Sequence, residues 1–146
     1  MITVEWADEA QTIVYERYGP AWTWEEAYAA WERVAEMLVG REPDLQISFI
    51  LDMRDAGLLP QDFLSNLKRF GQMSADVNST VELRVFVGSS QVLRHFMNLF
   101  RRVYPPAAEA LRAVFVETME DAYALIAAHR ADTAANSSSP EAEARR

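Results

Sequence analysis

Asp52, Arg54 and Asp55 stand where a nearly unbroken apolar run, Ile47-Ser48-Phe49-Ile50-Leu51, gives way to charge and then to Gly57. Such a run reads as a central strand buried on both faces, and the carboxyl end of that strand is where open α/β sheets bind ligands. Gly88-Ser89-Ser90 follows a second apolar run and falls at the same edge. Together the two turns offer a guanidinium, two hydroxyls and free backbone amides at a helix start, which is chemistry for holding a small anion. The plainer alternative is that a serine only caps the helix while Arg54 pairs with an acid.

Catalytic chemistry finds less support. The two histidines, His95 and His129, both fall in helical stretches, so Ser89 and Ser90 have no base on a neighbouring loop, and no catalytic residue is expected. Two isolated histidines make a poor metal site, and Gly88-Ser89-Ser90 lacks the lysine and further glycines of a nucleotide loop. Neither metal nor cofactor is expected. Arg94, Asn98, Arg101 and Arg102 project from one side of a helix, and Lys68 with Arg69 from the helix before it. They read either as a docking patch for an acidic partner or as a solvated face. Trp22 lies outside the aromatic stripe that follows it and is placed to anchor a partner or close an apolar pocket.

The frame that must position these groups is one domain. The 146 residues are half apolar, enough for a full core. With 22 acidic against 14 basic side chains the net charge is −8, which repels nucleic acid and anionic membranes and argues against either as the main partner. No cysteine is present, which fits a cytoplasmic location, and no disulfide or thiolate site can form. The start has no secretion-signal pattern, and no apolar run reaches the roughly 18 to 20 residues needed to span a bilayer.

Ile2, Val4 and Trp6 alternate with polar residues, and Thr12 to Tyr18 resumes in β-rich composition, predicting an antiparallel hairpin. Thr23-Trp24-Glu25-Glu26 has capping-box spacing, and Trp24, Ala27, Tyr28, Trp31, Val34, Ala35 and Leu38 form the inward stripe of the helix it opens, with Gly40 at its end. The central strand spans about Leu45 to Met53. A second helix begins near Pro60 and Asp62, whose carboxylate suits the positive helix end. Leu83 to Val87 is a further strand, and a third helix with a stripe of Val92, Leu93, Phe96, Leu99, Phe100 and Val103 stops at Tyr104-Pro105-Pro106. Ala113 to Glu117 is the last strand, and Thr118 opens a final helix through about His129. The expected domain is residues 1–130, with a disordered small and polar tail over 131–146. This order predicts an α/β fold, a mostly parallel mixed sheet of four to five strands with an N-terminal hairpin and four main helices.

The succession resembles the STAS family, shared by anti-sigma-factor antagonists and the cytoplasmic tails of sulphate transporters, and more closely its divergent bacterial STAS-like members. Ile47-Ser48-Phe49-Ile50-Leu51-Asp52-Met53 looks like the family's hydrophobic strand closing on an aspartate, and Leu83-Arg84-Val85-Phe86-Val87-Gly88 like its following strand. Phe115 to Ala122 resembles the closing strand, turn and acidic helix start. Typical members carry a phosphorylatable serine in the turn opening the next helix. Here that region reads Leu58-Leu59-Pro60-Gln61-Asp62-Phe63, without a hydroxyl, and Asp62 stands either for a permanent charge or for a dipole complement. The resemblance implies a non-enzymatic regulatory module that binds a protein partner or itself as a homodimer, through the loop after the central strand and the adjoining helices. The alternative is a carrier or sensor of a small hydrophobic or anionic ligand in an internal pocket near Trp22, Asp52 and Arg54.

Overall fold

The computed structural model describes residues 1–42, 45–73, 80–88 and 90–137. Among them are five strands, β1 (Ile2–Trp6), β2 (Ile13–Tyr18), β3 (Ile47–Asp52), β4 (Val81–Val87) and β5 (Ala113–Val116). The helices are α1 (Trp24–Leu38), α2 (Phe63–Met73), α3 (Gln91–Val103), α4 (Pro105–Leu111) and α5 (Met119–Ser137). The strands lie side by side in chain order, with β1 antiparallel to β2 and all other neighbours parallel. The mixed sheet with its opening hairpin is therefore as the sequence predicts.

Right-handed crossovers that always step to the next strand in the same direction must all pass over the same face. Accordingly α1, α2, α3 and α4 share one core with Val14, Phe49, Leu51 and Phe86. The opposite face is covered by α5, whose Ala122 and Ile126 meet Ile13, Ile50, Val85 and Val87. All six residues of β3 are buried, which is why its pattern is continuous rather than alternating. Phe49 and Ile50 point to opposite layers at 1% and 0% exposure, and each contributes about 1.5–3 kcal/mol of burial.

Local chemistry sets the turns. The Asp8 carboxylate accepts from the amides of Thr12 and Ile13 at 2.9 and 3.0 Å, which shapes the hairpin loop before β2. Thr23 caps α1 by accepting from the Glu26 amide at 3.2 Å, but the Glu26 carboxylate pairs with the Met1 ammonium at 2.9 Å instead of closing the capping box.

One expectation gains a detail and two need correction. Tyr104-Pro105-Pro106 ends α3 but also begins α4, since proline at the first helical positions lacks only amides that have no helical partner. The described residues thus hold the four expected main helices and the short α4. The inward stripe of α3 is Leu93, Met97 and Phe100, while Val92 and Val103 are 56% and 51% exposed. Finally, α5 runs past His129, so residues 131–137 are helical rather than part of a tail, although residues 131–136 are exposed. Alanine-rich sequence sustains those turns by propensity without burial. The rest of the expected tail, residues 138–146, lies outside the described residues.

Candidate functional site

Besides the Ser48–Glu82–Arg130 group at the other end of the sheet, two clusters of polar side chains stand on it, one on each face. The first is at the carboxyl end of β3. Asp52 is 2% exposed and accepts from the Tyr15 hydroxyl at 2.5 Å. Arg54, one turn of chain later, returns to it with Nε at 2.9 Å and Nη2 at 2.7 Å, and the Arg54 amide adds a bond of 3.2 Å. This paired donation from Arg54, helped by Tyr15, holds the Asp52 carboxyl down at about 2 despite burial. Gly88, at φ +65, lies against Arg54: a Cβ there would sit 2.5 Å from Arg54 Cγ. Asp52, Arg54 and Gly88 therefore meet at one edge.

The other residues expected at that edge have separate engagements. Asp55 pairs with Arg17 at 2.8 Å on the surface. The Ser90 hydroxyl caps α3, accepting from the Leu93 amide at 3.2 Å. Asp62 is exposed at φ +57 and its carbonyl accepts from the Asn66 amide at 3.1 Å. Ser89 lies outside the described residues. Arg54 is thus committed to Asp52 and Ser90 to its helix, the plainer of the two readings for each. His95 is exposed beside Phe96, and among the described residues no hydrogen bond joins it to Ser90.

The expected basic patch divides among different neighbours. Arg94 pairs with Glu117, and Arg101 donates to the Ala113 carbonyl at 3.2 Å, so both turn toward β5. Lys68 Nζ lies 4.7 Å over the Tyr104 ring, Arg69 lies 5.1 Å over Tyr28, and Arg102 is exposed. These cations do not form one open surface.

The second cluster was not anticipated. Between the sheet and helices α1, α2 and α3 lies a cavity of about 60 Å³ with aromatic walls including Trp22, Trp24, Trp31 and Phe63. Its sheet side carries Glu16, Tyr18 and Arg84. Trp22 belongs here, edge-on to Tyr18 at 5.0 Å and to Trp24 at 5.2 Å. The expected grouping of Trp22 with Asp52 and Arg54 is therefore incorrect: Met53 lines the cavity and Asp52, its neighbour in an extended chain, faces the other way.

Burial pushes the Glu16 carboxyl up to about 7, partly opposed by Arg84 from β4 and Arg33 from α1. Burial likewise pulls Arg84 down to about 10 and raises the Tyr18 hydroxyl well above its ordinary value. Arg84 donates to the Leu111 carbonyl at 3.0 Å and lies 5.6 Å from the Phe49 ring centre. Trp22 is 5% exposed, and its indole N–H has no hydrogen-bond partner among the described residues. β2 carries Arg17 beside Glu16 and β4 carries Glu82 as well as Arg84, so no signal in the sequence singles out the buried pair.

A third feature is apolar and outward. Leu58, Leu59, Pro60 and Leu64 meet Val92 and Phe96 around a shallow groove at the starts of α2 and α3. Leu58 is 91% exposed.

Comparison with protein-family models, with curated proteins and with solved structures gives no match. No helix among the described residues is long and apolar enough to cross a membrane.

Proposed function

We propose that this chain is a STAS-like regulatory module that works by binding a partner protein rather than by catalysis, and that the partner docks on the groove between the starts of α2 and α3. The observation that carries this reading is Leu58, a leucine left 91% exposed beside the 56% exposed Val92, with Leu59, Leu64 and Phe96 partly buried behind them. Isolated apolar residues on a surface need no explanation, but a contiguous set bordering a groove is the usual form of a protein-binding site. Its position supports the same conclusion, since the loops after β3 and β4 flank the carboxyl edge of the parallel strands. The complementary partner presents an apolar helix or loop, because the groove is built from leucine, proline, valine and phenylalanine.

A photo-crosslinking amino acid placed at position 58, and separately at position 92, tests this in the cell of origin. Both positions are expected to capture the same partner, which is lost when the other position carries aspartate, whereas a probe at Glu32 on α1 captures nothing in common. A partner mass equal to the chain itself identifies self-association. Unrelated products from positions 58 and 92, or the same product from position 32, would refute the docking site.

A further inference from the structure

Side chains do not fill the core between the sheet and helices α1, α2 and α3. The space left there is about 60 Å³, twice the roughly 30 Å³ that one water takes up in the liquid. Water is nevertheless a poor occupant, because it needs two to four polar partners and the walls present almost no polar surface, even where Glu16, Tyr18 and Arg84 border them. Ring contacts keep the walls apart. Tyr18 meets Trp22 at 5.0 Å, Trp22 meets Trp24 at 5.2 Å, Trp24 meets Phe63 at 5.5 Å and Trp31 meets Phe70 at 5.3 Å. These contacts tie β2, the turn before α1, α1 and α2 into one frame, so the chamber is preformed.

We propose that this chamber binds a compact neutral apolar molecule, a short hydrocarbon or halocarbon of about three or four heavy atoms. Volume sets the upper size. A dry apolar cavity of about 150 Å³ takes one benzene, so a space less than half as large excludes a six-membered ring and a lipid tail alike. Wall chemistry sets the class: a charged or amide guest would give up its water and meet almost no hydrogen-bonding surface in exchange. A polarisable apolar guest instead gains dispersion contact with Trp31, Phe49, Phe63 and Met97, which surround it from α1, β3, α2 and α3. Because those walls already stand in place, little ordering is needed for it to bind. The site is distinct from the docking groove, with which it shares Phe63 alone among the lining residues.

The test is titration of the full chain with dichloromethane, and with formamide as a polar molecule of the same heavy-atom count, followed by amide and indole N–H resonances in heteronuclear NMR. Dichloromethane is expected to move the signals of Trp31, Phe49 and Met97 saturably, and formamide to leave them in place. Ala27 lines the chamber from α1, and Ala27→Val adds two methyl groups there, so dichloromethane should bind about tenfold more weakly or not at all. Leu67→Ala enlarges the chamber from α2, and benzene is expected to bind that variant and not the native chain. The enlarged variant decides the matter where the filled one does not fold. Absence of saturable shifts in the cavity-lining residues overturns the proposal. So does equal binding of formamide, a folded Ala27→Val variant that binds dichloromethane as tightly as the native chain, or benzene binding equally to the native chain and Leu67→Ala. None of these readings depends on the docking groove.

Discussion

Replacing Glu16 with glutamine should flatten a pH dependence of stability that the wild-type fold carries. Glu16 is 8% exposed, and its carboxyl stands at about 7 in the folded chain against an ordinary 4.5. A carboxyl whose folded value is raised holds its proton more tightly in the native state, so its contribution is fully present below pH 4.5 and is lost as pH rises through about 7. At about 1.36 kcal/mol per unit, the wild type should lose on the order of 3 kcal/mol between pH 4.5 and 8.5 through this group. Asp52 titrates far below that window and Arg84 above it, so neither imitates the effect. Urea unfolding followed by tryptophan fluorescence, at half-unit steps across the window, gives the stability of both proteins. The expected result is a wild-type-minus-variant difference that grows more negative with pH and levels off above about 8. A flat difference, or one that rises with pH, would show that Glu16 is solvated or directly paired and that the cavity chemistry has been misassigned.

Asp52 works in the opposite sense: its folded value is depressed to about 2, so its contribution is complete above pH 3.8 and vanishes as pH falls through about 2. Asp52→Asn should remove about 1–2 kcal/mol from the acid limb, a figure reduced for water around the 52% exposed Arg54 and measurable by acid-induced unfolding. Gly88→Ala should cost about 1–3 kcal/mol, because alanine is strained at φ +65 and its Cβ would strike Arg54. Gly40→Ala, at φ +79 with nothing within 4 Å, should show the backbone part alone, and urea midpoints compare the two. Leu58→Asp should change stability by no more than about 0.5 kcal/mol while abolishing crosslinking from position 92.

The frame was legible because its signals are strong and local. Ile47 to Leu51 announces a strand buried on both sides, Thr23 announces the start of α1, and alternation of strand and helix fixes a mostly parallel sheet. Phase was less legible in α3, where Val92, Leu93, Phe96 and Met97 are all apolar and only contact with the sheet decides that Leu93 and Met97 turn inward. The Asp52–Arg54–Gly88 edge could be foreseen because its members follow adjacent parallel strands. The Glu16–Arg84 cluster could not, since β2 reads Val14-Tyr15-Glu16-Arg17-Tyr18 and its charges straddle both faces. Which of Glu16 and Arg17 is buried depends on the position of four helices, and that is a tertiary property.

Strand order matching chain order bears on how the molecule is made. Each strand-and-helix unit can dock on its predecessor as it leaves the ribosome, with no segment waiting for a distant mate. The α5 side is different, because Ile13, Ile50, Val85 and Val87 are complete as a surface before Met119 has been translated. For the seconds of synthesis that remain, that greasy sheet stays bare, and it is the stretch of the nascent protein on which a holdase would settle or two unfinished chains would stick together.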